Sequence, residues 1–282
     1  LSRIAYVDGR FVPHARARIH VEDRGFQFGD SIYEVWSVRG GKLLDEDGHF
    51  FRLERSLSEL RIENPRTRAS YRLVIGDLLR RNRINDGLVY LQVSRGVARR
   101  DHAFPRHRVR PTIVLTAKPM DVEAAEQRAA AGIAVVTLED IRWARCDIKT
   151  VNLLPNVLAK QHAVEAGAGE AWLVDRDGMV TEGSSSNAWI ITSDGVLITR
   201  PADHAILCGI TRMRIFQCAQ SLGFATEERA FSLDEAKLAR ESFITSASSF
   251  VTPVVKIDEK IIGNGAPGSM AIALRSSYFE DN

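Results

Sequence analysis

The sequence predicts two α+β domains that share a cleft, and three observations lead there. A chain of 282 residues can bury one large core or two modest ones. Helix-like and strand-like segments are mixed along both halves. Between the halves, Lys118-Pro119-Met120 reads as a linker, because a new, charge-patterned helical composition begins just after it. The expected division is a small N-terminal domain, residues 1–118, and a larger C-terminal domain, residues 119–282. No internal repeat or low-complexity segment interrupts either one.

In the first half, residues 4–12 read as a hairpin around Asp8-Gly9, a type I′ turn pair. Residues 17–21 read as a further short strand. The second half of the stretch 25–38 alternates as a strand carrying Tyr33, and Gly40-Gly41 ends it. Residues 49–62 form an amphipathic helix with Phe50, Leu53, Leu57 and Leu60 on one stripe and Arg52 near its edge. A second helix covers residues 71–79, and strands cover 87–94 and 112–117. Residues 95–105 form a long polar loop, and loops of that length inside a domain are often functional.

In the second half, helical patterning covers residues 122–131, and residues 132–138 are short, apolar and β-branched, as a buried strand is. Leu154, Val157, Leu158, Gln161 and Val164 recur at helical spacing, with Pro155 in the first turn and Gly167 as the stop. Strands over 170–174, 180–182, 188–192 and 196–199, separated by Asp-Gly and Ser-rich turns, read as a meander. A helix over 209–222 closes at Gly223, and another over 233–240 opens after Ser232 as N-cap. Strands over 242–245 and 251–257 and a final helix over 269–279 complete the chain.

Composition excludes several classes. Hydrophobic and charged contents of 45% and 26% are those of an ordinary globular protein. A net charge of +2, with 36 acidic residues set against the basic ones, argues against a dedicated nucleic-acid binder. No apolar run reaches membrane length, and Leu1-Ser2-Arg3 opens no signal-like core; the absent Met reads as a trimmed start. Cys146, Cys208 and Cys218 have neither metal-ligand spacing nor an even count, so no metal site is expected and a reducing, cytoplasmic setting is.

Lysine is scarce in this chain: seven of the 38 basic residues Lys plus Arg. Lys149 stands in a connection just before a helix, where a side chain can reach a site held by a rigid scaffold. Arginine stays charged, whereas a lysine amine can lose its proton when desolvated and condense with an aldehyde.

The segment around Lys149, the later Val180-Thr181-Glu182-Gly183-Ser184-Ser185-Ser186-Asn187 and Cys208-Gly209-Ile210-Thr211-Arg212-Met213 together resemble the fold-type IV pyridoxal-phosphate enzymes. The resemblance covers essentially the whole chain and is closest to the D-amino acid (D-alanine) aminotransferases. It implies a two-domain fold of that type, with pyridoxal 5′-phosphate in the cleft and Lys149 as the amine that holds it.

Such a cofactor also needs an anion site for its phosphate and a partner for its ring nitrogen. Glu182 is the expected ring-nitrogen partner. Gly209-Ile210-Thr211 opens a helix, where backbone N–H groups and the helix dipole favour an anion. By resemblance, Arg52, Ile210 and Thr211 hold the phosphate, Ala247 and Ser248 line the site, and Leu207 packs against the cofactor ring. Arg100 and His102, with Tyr33, resemble a trap for the substrate carboxylate, whose loop arrives from the neighbouring subunit of a homodimer.

The expected activity is transfer of an amino group from a D-amino acid to a 2-oxo acid in two half-reactions. Branched-chain or (R)-amine transfer and aminodeoxychorismate lysis remain alternatives on the same scaffold. A non-catalytic binding protein is the alternative from another class.

Overall fold

The computed structural model describes residues 3–280; the expected trimmed start at Leu1 and Ser2, and the last two residues, lie outside them. The chain divides into two compact units, Leu1–Asp121 with Ile148–Asn152, and Val122–Asp147 with Leu153–Asn282. Where the sequence predicts one break after residue 118, the division falls at Asp121, and the short segment bearing Lys149 goes with the first unit.

In the first unit, β1 (Ile4–Val7) and β2 (Arg10–Pro13) form the hairpin, with Asp8 and Gly9 at φ of 46° and 98°. Both positions of a type I′ turn require positive φ. The strand expected over residues 17–21 is absent: this mostly exposed chain finds no partner strand and runs irregularly after a 3-10 turn, His14–Arg16. A short helix not expected from the sequence, α1 (Arg24–Phe28), follows, capped by Asp23, whose carboxylate accepts from the Gly25 and Phe26 amides.

Next come β3 (Ser31–Arg39), β4 (Lys42–Leu43), α2 (Glu46–Glu59), α3 (Arg68–Asn82), β5 (Gly87–Ser94) and β6 (Thr112–Pro119). The sheet is antiparallel in the order β2-β1-β6-β5-β3-β4. Helix α2 begins at Glu46, before the expected start at residue 49, because Glu46 and Asp47 suit the positive N-terminal end of the helix. Its stripe of Phe50, Leu53 and Leu57 buries against Trp36 of β3 and Tyr71 of α3 in one core. Thr67 caps α3 by accepting from the Ser70 amide at 3.2 Å.

The second unit contains α4 (Val122–Ala131), β7 (Ile133–Glu139), α5 (Leu154–Glu165), β8 (Glu170–Val174), β9 (Val180–Gly183), β10 (Asn187–Ile191) and β11 (Leu197–Thr199). It continues with α6 (Ile210–Ser221), β12 (Thr226–Glu228), α7 (Leu233–Leu238), β13 (Glu241–Ser246), β14 (Phe250–Ile257), β15 (Lys260–Ile261) and α8 (Ser269–Glu280). Ser232 caps α7 as expected, accepting from the Glu235 amide. The sheet order is β12-β11-β10-β13-β14-β7-β8-β9, with β15 beside β14.

This order is not the expected meander. The β8–β9 and β10–β11 neighbours are antiparallel, but β7 pairs in parallel with both β14 and β8, and β13 rather than β9 lies beside β10. Helix α5 is the crossover that a parallel β7–β8 pair requires. It packs through Ala159 and Ala163 against Ala171 and Leu173. The leucines and valines that mark it as a helix lie on the other side, with Leu154 69% exposed and Val164 59%.

Candidate active site

In the first unit, Lys149 is fixed by backbone pairing to one end of β3. Its carbonyl accepts from the Tyr33 amide at 3.0 Å, and its amide donates to Ser56 Oγ at 3.3 Å. An isolated bridge joins Thr150 to Ile32, and the Val151 amide donates to the Ser31 carbonyl at 3.2 Å. The Lys149 ammonium Nζ stands 4.2 Å from the centre of the Tyr33 ring, an arrangement that favours a cation over the aromatic face. The structure thus brings together two of the expected site residues through the pairing of their backbones. Cys146 offers no competing nucleophile nearby in sequence. Burial pushes its thiol up to about 11, and Sγ donates to the Trp143 carbonyl.

Arg52 projects from α2 onto the opposite face of β3, where Glu34 lies. Arg52 Nε and Nη2 donate to the two oxygens of Glu34 at 2.7 and 2.9 Å, and His49 Nδ1 lies 2.8 Å from the same carboxylate. Burial by itself would raise the Glu34 pKa. The charge and hydrogen bonds of Arg52, joined by His49, outweigh it and hold the carboxyl at about 2. Burial likewise lowers His49, against the pull of Glu34, so its imidazole is neutral at pH 7. A bidentate carboxylate sets the plane of the guanidinium, which is what an anion-binding arginine needs. Sequence reading singles out Arg52 but not Glu34 or His49, which lie against it. A glutamate amid the apolar residues of a buried strand was the available signal.

In the second unit, Glu182 lies at the end of β9, buried and held on several sides. Arg142 donates to it through Nη1, and Asn187 Nδ2 donates to Oε2 at 2.9 Å. The Leu207 amide lies 3.2 Å from both oxygens. Arg142 is itself anchored by Asp140 at 2.7 Å and by the Ala205 carbonyl at 2.9 Å. The Leu207 backbone thus helps to hold the acid. Arg142 has no pattern in sequence that marks it, and Asn187, although it closes the motif that begins at Val180, is given no role by the sequence.

Helix α6 starts at Ile210, with Gly209 as an N-cap that has no capping side chain, and Ile210 and Thr211 are both buried. A Cβ at Gly209 would lie 2.0 Å from Asn187 Oδ1. Asn187 cannot turn aside, because its Nδ2 is shared between Glu182 and the Leu207 carbonyl, the latter at 2.9 Å. Gly209→Ala is expected to cost about 1–3 kcal/mol of stability, as overpacking does, and to disturb Glu182 with it. Thermal unfolding checks the first effect and cofactor affinity the second.

Ala247 and Ser248 lie in the turn between β13 and β14, where Ser246 Oγ is 2.7 Å from Ser249 Oγ and 3.3 Å from Ser248 Oγ. Ser248 is exposed. Below the Ser-rich turn after β9, buried Glu170 accepts from Ser184, from Ser185 at 3.0 Å and from Ser186 at 3.1 Å. This acid organises the loop that follows Glu182, and it too was missed.

Arg100 and His102 are exposed on the loop between β5 and β6, and both approach Phe28. The Arg100 guanidinium is 5.2 Å from that ring's centre and the His102 ring 5.4 Å from it. Among the described residues no hydrogen bond, ion pair or ring contact links either to Tyr33.

Several observations meet the demands of pyridoxal phosphate: a lysine on a fixed backbone, a buried acid held by multiple donors, an aligned buried arginine, and a helix start free of capping side chains. Taken unit by unit, these residue types suit the group.

The fold is shared with solved aminotransferases. A branched-chain amino acid aminotransferase of Escherichia coli superposes with a TM-score of 0.92, at 22% identity, covering 99% of this chain and 94% of that one. A second branched-chain amino acid aminotransferase, from T.th. and solved with pyridoxamine 5′-phosphate, has a TM-score of 0.89 at 28% identity, with coverage of 99% and 94%. The sequence model of the amino-transferase class IV family matches residues 31–257, and the chain belongs to that family. Among its relatives, the D-alanine aminotransferase of Bacillus licheniformis is 41% identical over 93% of this chain and 91% of its own. That of Staphylococcus haemolyticus is 41% identical over 97% and 95%.

Proposed function

We propose that this chain is a pyridoxal-phosphate-dependent aminotransferase that moves the amino group of a D-amino acid, of the D-alanine type, to a 2-oxo acid by a ping-pong mechanism. The observation that carries the reading is the near-full-length identity of 41% to D-alanine aminotransferases. When bound, the cofactor supplies an electron sink for the charge that develops at the substrate α-carbon.

The chain's own groups do the rest. Lys149 Nζ binds the cofactor covalently and then, released, takes the proton from the substrate α-carbon and delivers it where the second half-reaction needs it. Glu182 keeps a proton on the ring nitrogen, and its bonds to Arg142, Asn187 and the Leu207 amide hold the carboxylate in place for that. Arg52 and the first turn of α6, with Ile210 and Thr211, bind the phosphate; Ala247, Ser248 and the Leu207 side chain line the site. Tyr33, with Arg100 and His102 from a partner copy, receives the substrate carboxylate, so the working form is a homodimer. The domain division is taken near residues 118–119, with Arg52 before it and Lys149, Glu182, Ile210 and Thr211 after it.

A cytoplasmic location is part of this reading. No disulfide links the three cysteines, in keeping with a reducing compartment. Among the described residues no helix is long and apolar enough to cross a membrane.

The test is a half-reaction screen of the purified protein with D-alanine, L-leucine and (R)-1-phenylethylamine, followed by the change in visible absorption. D-alanine is expected to react at least about 100-fold faster than the others, a preference worth about 3 kcal/mol. A faster reaction with L-leucine would replace the D-amino acid reading with the branched-chain one.

A further inference from the structure

The loop between β5 and β6 has no regular structure, yet the proposed carboxylate site needs Arg100 and His102 in one fixed arrangement. Arg95 ties down its beginning, donating to both oxygens of Asp30 at 2.7 and 2.9 Å and to the Leu60 carbonyl at 2.6 Å. The Ala98 amide reaches the Glu22 carbonyl at 3.3 Å. Beyond Ala98, among the described residues, the only hydrogen bonds tying residues 99–103 to the rest of the chain come from one side chain, Arg24.

Arg24 is 2% exposed. Its Nη1 donates to the Asp101 carbonyl at 2.6 Å and its Nη2 approaches the His102 carbonyl at 3.5 Å. Nε donates to Asp30 at 2.8 Å, and the guanidinium lies 4.7 Å from the centre of the same Phe28 ring that Arg100 and His102 approach. The segment before α1 is built to aim it. Asp23 caps the helix with one oxygen and accepts from Ser94 Oγ with the other, at 2.7 Å. A Cβ on Gly25 would lie 2.7 Å from that of Ser94, so only glycine lets α1 come this close to β5.

We propose that Arg24 is a positioning residue for substrate specificity: it grips the backbone of Asp101 and His102 and so presents Arg100 and His102 to the substrate carboxylate. The proposal rests on the reading of that pair as the carboxylate site. A guanidinium can hold a carboxylate and two carbonyls at once because its donors lie in a fixed planar fork. Lysine, with one charged centre, cannot span the three.

The test compares Arg24→Gln, Arg24→Lys and Arg100→Ala in the holoenzyme. Asp30 keeps both bonds from Arg95, so removing Arg24 does not strand a buried carboxylate, and unfolding temperatures verify that each variant is folded. Arg24→Gln is expected to raise KM for D-alanine about 10- to 100-fold, the effect of losing one or two charge-assisted hydrogen bonds, with kcat within about threefold. Arg24→Lys falls between it and the wild type. Trypsin should nick the folded Arg24→Gln protein after Arg99 or Arg100 about tenfold faster, reporting the freed loop directly.

A KM that stays within about twofold in Arg24→Gln while Arg100→Ala raises it overturns the proposal and leaves the carboxylate site intact. An unchanged KM in Arg100→Ala overturns the site assignment, and the proposal with it. A loss confined to kcat also counts against positioning.

Discussion

Lys149→Ala is expected to lower turnover of D-alanine by at least about four orders of magnitude, since in the proposed mechanism one side chain serves both as covalent anchor and as proton carrier. The fold should barely notice. The backbone of Lys149 is held by Tyr33 and Ser56 through its own carbonyl and amide, and neither bond uses the ammonium group. The lost contact with the Tyr33 ring is worth about 0.5–1 kcal/mol. Unfolding temperature and turnover therefore separate cleanly in this variant. Borohydride reduction followed by mass measurement of the peptide that contains residue 149 gives the second check. A covalently trapped cofactor in Lys149→Ala would move the role to another lysine.

The second large effect is on stability and comes from Arg52. Arg52→Met removes the partner of a fully buried carboxylate, and breaking such a pair costs about 3–5 kcal/mol. The sign of the pH dependence should change as well. In the wild type Glu34 titrates at about 2, so its contribution is complete above the ordinary glutamate range, about 4.3, and is lost as pH falls through about 2. His49 acts in the same direction: buried and neutral, with its pKa lowered, it withdraws stability as pH falls below about 6.5, where the unfolded chain takes up its proton. The contribution of Glu34 and His49 to wild-type stability therefore rises with pH up to about 6.5 and then levels.

Without Arg52, Glu34 and His49 must keep one proton between them to stay buried. The folded protein then binds more protons than the unfolded one above about 6.5, and stability falls as pH rises further. Urea unfolding between pH 5 and 9 distinguishes the two curves, and parallel curves would mean that Arg52 does not control this carboxylate. Adding Glu34→Gln to Arg52→Met should recover part of the loss, because the stranded charge is gone.

What the sequence revealed and what it concealed have physical reasons. Strands β5 and β6 and helix α4 were legible because their composition matches one period throughout. The stripe of α2 was legible too, since Phe50, Leu53 and Leu57 all bury. In α5 the same reasoning found the helix but not its inner face, because a helix laid close on a sheet needs small side chains there, and Ala159 and Ala163 carry little hydrophobic signal. Residues 17–21 have strand-like composition without a neighbour, and pairing is a property of the tertiary structure. The same holds for the partners of the site. Lys149, Glu182 and Arg52 sit in recognisable local words, whereas Glu34, Arg142 and Arg24 matter through contacts with residues far along the chain or on other elements, which no local pattern encodes.

The association of Ile148–Asn152 with the first unit has a consequence for biosynthesis. When the ribosome has released residues up to 121, the margin of β3 at Ser31 and Tyr33 still waits for the backbone that will seal it. Until that later stretch emerges, the nascent chain presents an open template for mispairing with other extended polypeptides, a moment at which chaperone engagement would be most valuable. The piece that closes this margin carries Lys149, so on the proposed reading the sheet edge and the cofactor-binding lysine fall into place together.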